Sequence, residues 1–335
     1  MLVNCINREG YAWSNLDGET IFMTGGTGFF GTTLLYYLLQ VKLQEKINLN
    51  ITILTRDIAS FSKKHPVLFQ SDFIHCIQGD VINFDFPDKK FSKILHLATT
   101  TASETSKGED QLKKYKTLVN GTERIMQFAG RCGASKVLFT SSGVVYGGVT
   151  EDRIKETYMG AHVTTDVMSA LGQGKRSAEF IISYYANKYE IDYVIARCFS
   201  FSGPGLPQDI HYAIGNFIYD AMQSDMITVL GDGTPVRSYL DVDDLVIWLL
   251  VLLKEKCKHK IYNVGSDQSI SIIDLAKKIK LLLAPNKKIK IIGHSKDNIG
   301  NFIRNTYVPD ISRAKNEHKL DVWTNLDESI MRMTK

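Results

Sequence analysis

Residues 24–31 read TGGTGFFG, set between an apolar strand-like segment (Ile21, Phe22, Met23) and a helix-like one over residues 33–41. Gly25, Gly28 and Gly31 are spaced so that the chain can turn tightly, bring its backbone close to an anion and pack the next helix against a sheet. The first N–H groups of that helix then face the anion. A strand, a glycine turn and a helix in this order open a βαβ unit, and no other stretch restricts the fold as much. Glycine triplets also occur in ordinary loops, so the rest of the chain decides whether a nucleotide is bound.

The βαβ rhythm continues. Apolar runs at residues 51–54, 73–77, 94–97, 137–140 and 193–196 read as strands. Helix candidates lie at 112–132, with Ile125, Phe128 and Ala129 at helical spacing, and at 172–189, with Ile181, Tyr184 and Tyr185. The fold expected is α/β, a Rossmann-type doubly wound parallel sheet. Beyond Gly203-Pro204-Gly205 the rhythm breaks, and turns at Gly231, Gly233 and Gly265 separate mixed pieces. This predicts a smaller mixed α/β C-terminal lobe: residues 1–202 with about 239–265 form the dinucleotide domain, and 203–238 with 266–335 the substrate lobe.

With 44% hydrophobic and 23% charged residues over 335, the chain suits a globular protein rather than a disordered one. Its net charge of +4 is spread over separate lysines such as Lys277, Lys278, Lys287 and Lys288, which argues against a nucleic-acid footprint. Five cysteines (Cys5, Cys76, Cys132, Cys198, Cys257) stand far apart without CxxC spacing, the pattern of reduced thiols in a cytoplasmic setting with no metal site. Residues 245–253 are strongly apolar but stop at Lys254, too short for a membrane span, and read as a buried helix. The first residues lack a basic segment followed by an apolar core, so neither secretion nor membrane insertion is expected.

Nine motifs then follow in order: TGGTGFFG (24–31), GDV (79–81), HLAT (96–99), NGTERI (120–125), TSSGVVYG (140–147), GQGKRSAE (172–179), RCFSFSGPG (197–205), GDGTPVRSYLDVDDL (231–245) and YNVG (262–265). Together they resemble the extended short-chain dehydrogenase/reductase superfamily, specifically the NAD-dependent epimerase/dehydratase group that modifies nucleotide-activated sugars, from Ile21 to about Ile330. The resemblance implies a cofactor groove lined by Gly25, Thr27, Gly28, Phe29, Phe30 and Gly31, by Asp80 and Val81 at the adenine, and by Leu97, Ala98, Thr99, Ser141 and Ser200 near the strand ends. It makes Asn120 a structural organiser near the active centre; by residue type alone Asn120 is a helix-surface amide and Asp80 a turn residue.

Cofactor choice is read at the end of the second strand, where an acidic residue would favour NAD. Here Thr55 and Arg56 precede Asp57, and the Arg56 guanidinium suits a 2′-phosphate, so NADP is favoured over NAD. The alternative is that Arg56 is solvated and Asp57 reaches the ribose.

In this superfamily a tyrosine stands four residues before a lysine on one helix face, and the tyrosinate moves the proton while hydride moves to or from the cofactor. Lys175 is in place, and so is Ser142, which would polarise the substrate oxygen. Leu171 occupies the tyrosine position and cannot carry a proton. Three readings stay open: an enzyme whose acid/base group comes from elsewhere, with Tyr158, His162, Asp166 and Glu104 as candidates; an engineered replacement; or a protein that binds without turnover. Gly143 and Val144 stand where the group's 4,6-dehydratases carry an Asp-Glu pair, which argues against simple 4,6-dehydration.

On the substrate side the resemblance implies Thr100, Ser142 and Asn216, with Arg237 and Arg304 as guanidinium clamps on a diphosphate. Ser200 and Ser202 precede GPG in a stretch expected to face the ligand. Asp241, Asp243 and Asp244 are explained better as a helix N-terminus than as a metal cluster. The implied activity is NAD(P)-dependent oxidation, reduction or epimerisation of a nucleotide-diphosphate sugar in deoxy- or unusual-sugar supply. A homodimer through helices 112–132 and 172–189 is expected.

Overall fold

The protein is represented by a computed structural model, which describes residues 11–99, 108, 110–208, 212–293 and 306–334. Seven parallel strands form the central sheet in the order β11-β6-β5-β4-β1-β2-β3. These are β1 (Thr20–Thr24), β2 (Asn50–Thr55), β3 (Ile74–Gln78), β4 (Lys93–His96), β5 (Lys136–Ser142), β6 (Asp192–Cys198) and β11 (Ile261–Val264). Apolar residues of β1, β2 and β5 are buried in near-continuous runs, because helices cover both faces of the sheet. The five strands expected from the sequence are all present, with bounds shifted by a residue or two, and β11 is added at the edge through the YNVG motif.

Helix α1 (Phe29–Glu45) follows the glycine turn, and α2 (Ile58–Lys64) and α3 (Pro66–Phe69) follow β2. One face of the sheet is packed by α4 (Gln111–Cys132) and α5 (Ala170–Tyr189), whose Ile125, Phe128, Ala129, Ala178 and Ile182 form a core with Phe22, Ile94 and Phe139. After β7 (Phe201–Ser202) the chain forms α6 (Ala213–Gln223), β8 (Met226–Val229), β9 (Val236–Ser238) and β10 (Leu240–Asp241). The opposite face is packed by α1 and α7 (Val242–Lys254). Every residue from 242 to 253 is buried, so the apolar run near residue 250 is a core helix, as its length suggested. No helix among the described residues is long and apolar enough to cross a membrane.

The remaining elements are β12 (Ser269–Ser271), α8 (Ile272–Leu283), β13 (Lys288–Ile291), β14 (Thr306–Tyr307), α9 (Ser312–His318) and α10 (Leu326–Arg332). A separate core forms where Ile214, Phe217 and Ile218 of α6 meet Ile227 and Val229 of β8, Leu275 and Ile279 of α8 and Ile330 of α10. Strands β12, β9 and β14 form a small mixed sheet with β9 at its centre. Its register places Tyr307 directly beside Arg237.

The acidic run at the start of α7 is structural. Asp241 caps the helix by accepting from the Asp243 N–H at 2.9 Å, and Asp244 accepts from the Trp323 and Thr324 backbone at 3.0 and 2.8 Å. Arg332 pairs with both Asp241 and Asp243. The buried Ser202 hydroxyl bonds Ser329 at 2.8 Å within this network, which corrects the expectation that it faces a ligand.

Candidate active site

The sheet order changes direction between β1 and β4, and the glycine turn lies at the carboxyl end of β1, at the crevice where such sheets bind ligands. The three glycines serve different ends. Gly25 has φ +72°, and a Cβ there would lie 2.7 Å from the Leu97 carbonyl carbon. A Cβ on Gly31 would stand 2.3 Å from the Gly25 oxygen, so only glycine lets α1 pack against the turn. At Gly28 the nearest atom is 3.5 Å away, an ordinary contact. Gly28 is therefore not required by packing; it begins α1 with no side-chain cap and leaves the first turn open to an approaching anion. Thr27 is exposed beside it, and Phe29 and Phe30 are half-buried, Phe30 packing edge-on to Phe201 with centroids 4.9 Å apart.

A cavity of about 160 Å³ continues from the turn along the end of β2, lined by Thr27, Thr55, Arg56, Asp57, Ser60 and Lys64 among others. Asp57 is the N-cap of α2, with a carboxylate oxygen accepting from the Ser60 N–H at 2.8 Å. One oxygen of its carboxylate is thus held at the start of the helix, and Asp57 and Arg56 are both exposed at the cavity wall. Across the groove, Ala98 N–H donates to Thr24 Oγ1 at 3.2 Å and Thr99 is exposed. Asp80 accepts from the Ile82 N–H at 3.0 Å in a tight turn, and Val81 packs where Gly121 leaves room. Asn120 lies on the exposed side of α4, whereas the buried Thr122 bonds His96 Nε2 at 3.1 Å.

His96 was not among the expected site residues, although it opens the HLAT motif. Its Nδ1 lies 2.8 Å from Thr24 Oγ1, so it ties β4 to β1 and α4 below the groove. Burial, with the Lys175 charge adding, lowers its pKa to about 3, and it stays neutral.

At the end of β5 strand alternation separates two serines. Ser141 is buried and its hydroxyl donates to Glu179 Oε1 at 2.6 Å. Glu179 is held by a two-pronged pair to Arg197, at 3.0 and 2.7 Å. Ser142 caps the following 3-10 turn, accepting from the Val144 N–H at 3.3 Å, and also lies 3.5 Å from the Tyr307 hydroxyl. Lys175 is buried; its Nζ donates to the Thr140 carbonyl at 2.7 Å and stands 4.5 Å over the Phe139 ring. Burial lowers its pKa to about 8 against the opposing influence of Cys198 and Glu179, so its charge fades as pH rises through that value. Burial also pushes the Cys198 thiol up to about 12.

Leu171 is half-buried in the first turn of α5. Of the expected substitutes for the missing tyrosine, Tyr158 donates to the Gly148 carbonyl at 2.9 Å, and Asp166 accepts from the Met168 N–H at 2.9 Å. His162 packs so closely on Gly172 that a Cβ there would touch its Nε2, which donates to the Val144 carbonyl at 2.6 Å. Glu104, Thr100 and Arg304 lie outside the described residues.

On the substrate side, Arg237 donates to the Val236 carbonyl at 2.8 Å, and its guanidinium carbon is 6.0 Å from the Tyr307 ring centroid. Asn216 is half-buried on α6, and the Ser200 carbonyl accepts from the Leu240 N–H at 3.1 Å. Ser142, Tyr307 and Arg237 therefore form one chain of contacts between the main sheet and the small one.

The sequence profile of the NAD dependent epimerase/dehydratase family matches residues 21–265. UDP-glucuronic acid decarboxylase 6 of Arabidopsis thaliana is 31% identical over 299 residues, covering 88% of this chain and 82% of that protein. Among solved structures, a UDP-glucuronic acid 4-epimerase from Bacillus cereus in complex with UDP-glucuronic acid and NAD superposes with TM-score 0.78 at 20% identity, covering 93% of this chain and 97% of that one. A UDP-glucose 4-epimerase with UDP-glucose from Thermotoga maritima superposes with TM-score 0.76 at 19% identity over 93% and 96% of the two chains.

Proposed function

Since this chain belongs to the NAD-dependent epimerase/dehydratase family, a family of nucleotide-sugar enzymes, we propose that it transfers hydride at a ring carbon of a nucleotide-diphosphate sugar, with NADP as the preferred carrier. The observation that carries this reading is the placement of Ser142 and the buried Lys175 at the carboxyl end of β5, two strands from the open face of Gly28. Glycine positions that packing requires, beside one that packing does not, are what a pyrophosphate cradle needs. A bound nicotinamide cofactor accepts or returns the hydride. Ser142 holds the reacting sugar oxygen, and Lys175 orients the cofactor ribose.

The NADP preference rests on the cavity at the end of β2. Arg56 and Lys64 line it, and the Asp57 carboxylate beside them has one oxygen held in the cap of α2. Residues 1–202 with 239–265 would hold the cofactor, and 203–238 with 266–335 the nucleotide sugar, with Arg237 on its diphosphate. Four cysteines are unpaired among the described residues, in keeping with a cytoplasmic enzyme that supplies an unusual sugar. Leu171 favours a second reading, a protein that binds both ligands without turnover.

Incubation with UDP-, dTDP-, GDP- and CDP-sugars, UDP-glucuronic acid included, separates the two readings. Change in nicotinamide absorbance together with a new product mass is expected for at least one sugar. Tight cofactor binding without turnover on any of them would favour the silent binder.

A further inference from the structure

The phenol missing at position 171 has a counterpart elsewhere. Tyr307 sits on β14, 165 positions away from Ser142, and its hydroxyl oxygen is 3.5 Å from Ser142 Oγ. We propose that Tyr307 is the proton carrier of this site, standing in for the tyrosine that Leu171 replaces. The proposal rests on the redox reading above and names the group that makes it chemically complete.

Three observations support it. The first is the Gly143–Tyr307 fit: a Cβ on Gly143 would lie 2.7 Å from the Tyr307 hydroxyl and 2.8 Å from the Phe199 ring. The phenol thus fills the space into which a side chain at position 143 would begin to project. Glycine at 143 is what admits a second hydroxyl beside Ser142.

The second is the rigidity of its mounting. Thr306 and Tyr307 pair with Val236 and Arg237 of β9. Just beyond, the Ile154 N–H donates to the Val308 carbonyl at 2.9 Å and the Asp310 N–H to the Ile154 carbonyl at 2.8 Å. Asn263 adds its side-chain N–H groups to the Ile154 and Asp310 carbonyls at 2.7 and 3.1 Å. The Tyr307 ring packs on Phe199 with centroids 4.7 Å apart. Held on both sides and along its ring, the residue presents its hydroxyl in one place, as a group that must meet a reacting atom within tenths of an ångström requires.

The third is the geometry toward a substrate. Two hydroxyl oxygens 3.5 Å apart can both reach a third oxygen at an ordinary hydrogen-bond length of about 2.7 Å. A sugar oxygen bridging Ser142 Oγ and Tyr307 Oη would receive a donor from one and exchange its proton with the other. In the oxidative direction Tyr307, as phenolate, takes the hydroxyl proton while hydride leaves the same carbon for the oxidised nicotinamide. The C–H and O–H bonds of the sugar break, and its C=O double bond and the phenol O–H form. The reverse returns both to the keto sugar. The Arg237 guanidinium beside the ring places positive charge near the phenolate.

The test compares the parent, Tyr307→Phe, Leu171→Tyr and the double variant Tyr307→Phe/Leu171→Tyr, as full chains with matched thermal melts. Turnover is followed on whichever nucleotide sugar the parent converts, and NADP and nucleotide-sugar affinities are measured by calorimetry. Tyr307→Phe is expected to lower kcat about 10²- to 10⁴-fold, the usual worth of a positioned acid/base group. Both affinities should stay close to the parent's, and the double variant should recover turnover because a phenol is restored above Lys175. Retained turnover in Tyr307→Phe overturns the proposal and leaves the redox reading standing. Loss of turnover that tracks loss of sugar affinity, without recovery in the double variant, overturns it in favour of a binding role. A parent silent on every sugar overturns the redox reading and this proposal with it.

Discussion

At the scale of single residues, the site is organised by what each side chain is prevented from doing. Ser141 and Ser142 are neighbours in one strand with the same chemistry, yet alternation commits the first to Glu179 and leaves the second beside Tyr307. His96 is kept neutral by burial, and that has a measurable cost. A histidine in an unfolded chain takes up a proton near pH 6.5, whereas His96 does so only at about 3. Between those values the unfolded chain binds the extra proton, so stability falls as pH drops from 6.5 toward 3, by up to about 1.4 kcal/mol per pH unit. Calorimetric melts at pH 7 and pH 5 should show a lower Tm at pH 5, and a His96→Gln variant should show a smaller drop. Equal drops in the two proteins would remove His96 as the cause. HLAT drew attention to Ala98 and Thr99 because they flank the groove; the histidine's role depends on Thr24 and Thr122, which only the sheet and α4 bring to it.

At the scale of elements, the proposed NADP preference turns on the passage from β2 into α2. The sequence left two readings of Arg56 and Asp57 open because both side chains can reach a ribose from that turn. The helix that follows weighs between them: Asp57 is its cap, an interaction worth about 1 kcal/mol that holds one carboxylate oxygen at the Ser60 N–H. Arg56→Ala is expected to weaken NADP binding about 10- to 100-fold and leave NAD nearly unchanged, since charge-assisted bonds contribute about 1.5–3 kcal/mol. Fluorescence titration with both cofactors checks this, and an equal loss for the two would show that Arg56 does not read the 2′-phosphate. The same locality explains which elements were legible in advance. The five strands, α4, α5 and the buried α7 carry their apolar pattern within a few turns or residues of chain. Strand β14 is two residues long and has no such pattern; it exists because β9 is beside it.

At the scale of the whole molecule, α4 and α5 carry large apolar side chains that are exposed among the described residues. Phe180 is 70% exposed and stacks on Tyr184, which is 55% exposed, and Leu112 is 60% exposed on α4. Exposed large apolar groups on this helix pair fit a subunit interface, the homodimer anticipated through residues 112–132 and 172–189. Light scattering is expected to give a dimer for the parent and a monomer for Phe180→Glu; a variant that remains dimeric would exclude this face. Local spacing along the chain was enough to give the parallel sheet, the glycine turn, the motifs that carry the family resemblance and the positions of Ser142, Lys175 and Leu171. Long-range packing was needed to commit Ser141 to Glu179 and to bring Tyr307 to Ser142. Those outcomes depend on contacts between segments 38 and 165 residues apart, which are brought together by the packing of α5 on the large sheet and of the small sheet against the large one.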